Sequence, residues 1–191
     1  MSSLNWWNNL EQQWKQAFEV TFFRSTATPS ISDLEQLQNT TVLRLVGPRA
    51  PYPNMDFELT NLSGIAALQQ LEILVVTHQQ IKDLQLLASL KNLKSLFLFN
   101  NQIESLEGIE GLTDLEQLYI QFNNIASLTP LQQLTQLKEV YIHHNALTSL
   151  DGLTETHSDN LATFFCLPNS GLKQKEIIRA ENHLGIRCRS V

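Results

Sequence analysis

Between Leu71 and Leu153 the apolar residues keep a spacing that matches no single regular element. In LKSLFLFNNQIESLEGIEGL, Leu93, Leu96 and Leu98 begin like an uneven strand. After Asn101 and Ile103, the residues Leu106, Ile109 and Leu112 then recur at every third position. A half-buried strand alternates with period two and an amphipathic helix repeats every 3.6 residues. Sliding the chain by 22 restores the pattern, with copies beginning at Leu71, Leu93, Leu115 and Leu137. Places 1, 4, 6, 11, 14, 17 and 20 of these copies are apolar at 27 of 28 positions, against 42% for the whole chain. Thr156 is the one exception.

Each copy therefore predicts the same small unit. Places 4 to 6 form a short strand that turns two apolar side chains inward and the residue between them outward. The chain turns at the ninth place, occupied by Gln79, Asn101, Asn123 and Asn145. An apolar residue at every third position then suits a 3₁₀-like return, in which i and i+3 eclipse. Gly64, Gly108 and Gly152 share the sixteenth place with Pro130, a column suited to a fixed bend. One copy cannot bury its own apolar face, whereas stacked copies can.

The motif L-x-x-L-x-L-x-x-N-x-I/L resembles the leucine-rich repeat signature. The 22-residue length, closed by L-x-x-L-x-x-L-x-x-L, resembles the class found in internalins and in a regulatory subunit of protein phosphatase 1. This resemblance implies an α/β leucine-rich repeat solenoid with a parallel sheet on its concave side and short 3₁₀-like turns on its convex side. It implies an asparagine ladder through Asn101, Asn123 and Asn145, altered at Gln79. It also implies a protein ligand held on the concave face. The likeness to the phosphatase regulator lies in repeat length and core leucines, so its partner is not carried across.

The repeat fades in both directions, and the whole of 1–191 reads as one domain with repeats over 31–170, clearest at 71–156. Ile31, Leu34 and Leu37 read as the tail of a degenerate unit, and Leu43 and Leu45 as the strand of the next. An insertion within VGPRAPYPNMDFE, with Pro48, Pro51 and Pro53, predicts an extended, stiff loop at the rim. LATFFCLPNSG reads as a last copy, two residues out of phase, with Phe164 and Cys166 inside and Asn169 at the turn. Open solenoid ends need caps. Trp7, Leu10, Trp14, Phe18 and Phe22 predict a cap helix over 4–24. Ile177, Ala180 and Leu184, stopped by Gly185, predict another over 171–186.

Composition narrows the function. With 13 Lys and Arg against 19 Asp and Glu, the net charge of −6 argues against nucleic acid or an anionic membrane as the main partner. No apolar run reaches the roughly 18 residues of a membrane span. MSSLNWWNNLEQQWK lacks the features of a conventional signal peptide, so a cytoplasmic location is expected, although export by another route would leave no mark. The mixed charges Glu11, Lys15, Glu19 and Arg24 favour capping over membrane contact for the Trp-rich helix.

Catalytic signatures are lacking: there is no glycine-rich phosphate loop, G-x-S-x-G, H-E-x-x-H or C-x-x-C. Adjacent His143 and His144 are expected to point opposite ways on a strand, and no cofactor or metal site is expected. Cys166 falls in a core column, and whether Cys188 approaches it is open.

The outward fifth place reads Arg44, Val75, Phe97, Tyr119 and Tyr141. The seventh reads Val46, Thr77, Phe99, Gln121 and His143, and the third Val42, Ile73, Ser95, Gln117 and Glu139. Strand propensity explains a tyrosine or two, but an exposed aromatic ridge marks a contact surface. The expected function is a non-catalytic protein-binding module. Its anchors are Phe97, Phe99, Tyr119 and Tyr141, flanked by Val75 and Gln121, with Arg44 and His143 for polar selectivity. Arg49 and Tyr52 of the proline-rich loop would add contacts. Two alternatives stay open: a homodimer through the strip or an end, and, ranked lower, an enzyme using His143, His144 and Glu139.

Overall fold

The computed structural model describes residues 2–191. Seven parallel strands lie side by side in chain order: β1 (Val42–Val46), β2 (Ile73–Thr77), β3 (Ser95–Phe97), β4 (Gln117–Tyr119), β5 (Glu139–Tyr141), β6 (Thr163–Leu167) and β7 (Arg189–Ser190). From β2 to β5 the 22-residue period becomes strict register, and Leu43, Leu74, Leu96, Leu118, Val140 and Phe164 form one inward row from β1 to β6. Three return segments carry short 3₁₀ helices, at Ser63–Ile65, Gln85–Ser89 and Thr129–Leu131, whereas the one through Leu106, Ile109 and Leu112 returns by turns with the same apolar spacing. The leucines and isoleucines at places 1, 4, 6, 11, 14, 17 and 20 from Leu71 to Leu153 are buried in one continuous core. Each is worth about 1.5–3 kcal/mol relative to exposure.

The ladder holds the turns. Asn123 accepts from the Ile103 amide at 2.9 Å and donates to the carbonyls of Leu98 and Ile120 at 3.0 and 3.1 Å. Asn101 and Asn145 repeat these contacts, and Asn169 extends them to the last copy. Gln79 reaches the equivalent Leu59 amide at 2.6 Å and lies 3.5 Å from the Leu45 carbonyl, so a longer side chain continues the ladder. The break at Thr156 also resolves. The copy is two residues longer, a short helix, α4 (Glu155–Ser158), takes up the excess, and His157 fills the core in place of Thr156. Its ring bonds the Leu131 carbonyl and the Thr154 hydroxyl.

The ends depart from expectation. The predicted helix over 4–24 is two helices, α1 (Ser3–Asn9) and α2 (Gln12–Phe18), followed by a π-helical turn at Glu19–Phe23. Extended backbone at Leu10 and Glu11 separates them, which lets Trp6 and Trp7 pack on Phe18 together with Trp14. All three tryptophans are buried and unavailable to a partner. Residues 31–38 are not a repeat tail but a third cap helix, α3 (Ile31–Gln38), started by a capping box between Ser30 and Asp33. Gly64 differs from the other glycines of its column, since Trp14 lies where its Cβ would stand. Gly108 and Gly152 instead have φ of 106° and 110°.

The proline-rich loop folds back along the free edge of β1. Asn54 accepts from the Val46 amide at 2.7 Å and donates to the Arg44 carbonyl at 2.8 Å. The amides of Asn54 and Met55 both reach the Val46 carbonyl. The insertion thus satisfies an exposed sheet edge. At the other end, helix α5 (Gln174–His183) buries Ala180 and stops before Gly185 at φ 70°. The chain then returns with Ile186 in the core and adds β7 beside β6.

Candidate functional site

Register puts the outward residues of successive strands beside one another. Arg44 pairs with Val75, Val75 with Phe97, Phe97 with Tyr119, and Tyr119 with Tyr141. The row continues through Phe165 to Arg189. These last two were missed in the sequence. Alternation made Phe165 findable, since Phe164 and Cys166 on either side point inward, but β7 carries no repeat pattern to reveal Arg189.

Phe97, Tyr119, Tyr141 and Phe165 form a stack. Successive ring centroids are 4.8, 4.3 and 4.8 Å apart, with interplanar angles of 32°, 13° and 24°. Strand side chains stand roughly perpendicular to their sheet, so the rings cover one another's faces and turn their edges into the concave space. All four remain half-buried, while Arg44 is exposed at the β1 end.

The third-place column forms a shoulder. Ser95 is buried and donates to Gln117 at 2.7 Å, and the Tyr119 hydroxyl donates to the Glu139 carboxylate. Burial first, and then that hydrogen bond, push the Tyr119 phenol above its ordinary value, keeping it a donor. Val42 is exposed and Ile73 half-buried.

On the opposite shoulder, Phe99 and Gln121 are half-buried, but Val46, Thr77 and His143 are buried. His143 is only 6% exposed and so does not stand out as the selective polar group expected of it. Nor do the adjacent imidazoles point apart, because β5 ends at Tyr141 and His144 takes a left-handed φ of 54°. Their Nδ1 atoms approach to 2.7 Å. Burial, and then His144, lower the basicity of His143 and favour the neutral ring. His144 stacks on Phe122 at 4.5 Å, and Phe122, itself at φ 58°, is 44% exposed.

Arg49 pairs with Glu58 at 2.6 Å and donates to the Gln79 carbonyl at 3.2 Å, so the loop itself occupies its guanidinium. Tyr52, 84% exposed, is free. Among the described residues no group of three or more His, Cys, Asp or Glu is placed to hold a metal ion. No helix there is long and apolar enough to cross a membrane.

A model of the leucine-rich repeats, covering two consecutive copies, matches residues 69–111, 91–133 and 113–155, each placement one repeat after the last. No curated protein matches the sequence. Among solved structures, an internalin (inlF) from Listeria monocytogenes is 26% identical with a TM-score of 0.54, over 61% of this chain and 37% of that one. The chain thus spans little more than a third of that internalin. The leucine-rich repeat ectodomain of the receptor kinase SOBIR1 from Arabidopsis thaliana has a TM-score of 0.53 at 20% identity. That match covers 67% of this chain and 69% of the ectodomain, and it shows likeness of fold.

Proposed function

We propose that this chain, with its internalin-like leucine-rich repeats, is a non-catalytic module binding a protein partner on its concave face. The observation that carries this reading is the row of four stacked aromatic rings with their edges directed into the concave space. Aromatic edges are electropositive, so the ridge suits backbone carbonyls and the faces of a partner's own aromatic rings. Tyr and Phe are favoured interface anchors, since they offer area at little entropic cost. Phe97, Tyr119, Tyr141 and Phe165 are the anchors, with Val75, Phe99 and Gln121 beside them. Arg44 offers an exposed cation at one end. His143 supports the rim from beneath rather than touching the partner, Arg49 serves the loop, and Tyr52 is the loop's free contact.

The test compares wild type with a Tyr119→Ser/Tyr141→Ser variant, shown by circular dichroism to be folded, as baits in a lysate of the source organism. A protein held by wild type and lost by the variant supports the reading. Equal retention by both would remove the concave ridge as the site. Light scattering across a dilution series of the pure protein addresses the homodimer: dissociation on dilution in wild type but not in the variant would reassign the ridge to self-association.

A further inference from the structure

The structure brings together two cysteines whose relationship the sequence leaves open. Cys166 lies on β6 with its side chain fully buried. Cys188 lies just before β7, partly buried against the same core, and neither is bonded. β7 pairs with β6 at Phe165 and Leu167, on either side of Cys166, so the two thiols lie at the same end of one core. The return of the chain after α5 creates this meeting. The pairing of Phe165 with Arg189 turns Cys188, the residue before Arg189, toward the core that holds Cys166, where Ile186 is also buried.

We propose that Cys166 and Cys188 form a reversible disulfide that fastens β7 to β6. β7 is two residues long and weakly held. Its register with β6 shifts between Phe165 and Leu167, the Val191 amide lies 3.4 Å from the Leu167 carbonyl, and Arg189 donates to the Ala162 carbonyl at 3.1 Å. A covalent link here would hold Arg189 beside Phe165 at the end of the aromatic row. So short a terminal segment can settle into disulfide geometry without disturbing the repeats.

The two sulfurs have unequal roles. Cys188 is the more accessible one, and Cys166 beside it lowers its pKa, whereas Cys188 and then burial raise that of Cys166. With a low-molecular-weight disulfide such as oxidised glutathione, the Cys188 thiolate attacks one sulfur and expels a glutathione thiolate. Cys166 then gives up its proton and attacks the Cys188 sulfur of the mixed disulfide, expelling the second. Two protein thiols are oxidised to one disulfide while one glutathione disulfide is reduced to two thiols.

The test incubates reduced wild-type protein with oxidised glutathione and reads intact mass, a non-reducing peptide map and thermal unfolding. Expected are loss of two hydrogens, a cross-linked peptide pair containing Cys166 and Cys188, and a midpoint raised by about 4–8 °C that reverts with reductant. A Cys166→Ser variant should stop with one glutathione on Cys188, and Cys188→Ser should remain unmodified. Two free thiols in wild type, a lasting glutathione adduct, or a disulfide between chains would each overturn the proposal. These readouts need no binding partner, so they stand apart from the test of the concave face.

Discussion

The Tyr119 hydroxyl donates to Glu139 on the neighbouring strand, while its ring lies 4.3 Å from that of Tyr141 on the same strand. One side chain thus bridges the polar shoulder and the aromatic row, and its orientation is set at both ends. The phenol should therefore stay protonated past the ordinary value of 10.0. A spectrophotometric alkaline titration should show a late-ionising tyrosine that is missing from a Tyr119→Phe variant. Glu139→Gln removes the carboxylate that disfavours the phenolate, so the late step should move to lower pH. An unchanged titration in that variant would show that Glu139 does not govern Tyr119.

The ladder should be the most sensitive polar feature of the core. Asn123→Ala strands the Ile103 amide and two carbonyls away from water, at a cost of about 3 kcal/mol. Gln79→Asn shortens the arm by one methylene and loses the Leu59 amide, costing about 1–3 kcal/mol. Urea unfolding of both variants measures these losses, and a neutral Gln79→Asn would mean that glutamine's extra length is unimportant there.

Two nearby glycines should respond oppositely to alanine. At Gly108, with φ 106°, a Cβ would stand 2.4 Å from the Leu84 carbonyl oxygen, so the substitution should destabilise by several kcal/mol or perturb the stacking of repeats. At Gly111 the new Cβ meets chiefly the flexible end of Lys91, and a change within about 1 kcal/mol is expected. Thermal melts of the pair separate backbone strain from mere loss of a glycine.

Asn54→Ala should uncover the β1 edge by releasing the Val46 amide and the Arg44 carbonyl. An open parallel edge is a template for another chain. The variant should associate at concentrations where wild type does not change, as light scattering would detect. Identical scattering by both would show that the remaining loop protects the edge without Asn54.

Much of the candidate row was legible because its register follows from repeat length alone: Val75, Phe97, Tyr119 and Tyr141 are 22 residues apart. His143 was misread for a physical reason. Alternation holds while the strand lasts, and β5 ends two residues before it, where left-handed backbone at His144 redirects the next ring. The pairing of Arg49 with Glu58 was not legible, because Glu58 lies nine residues away in an insertion without periodicity.

By itself the sequence determined the unit, its 22-residue pitch, the inward leucines and the turn asparagines. These are contacts each copy makes with its neighbour, repeated often enough to stand out. Only the tertiary structure decided the ends: the break at Leu10, helix α3, the loop over the β1 edge, Arg189 in the row, and the meeting of Cys166 with Cys188. Each of these is made once, between segments with no shared pattern, and depends on which core surface the last complete repeat leaves uncovered.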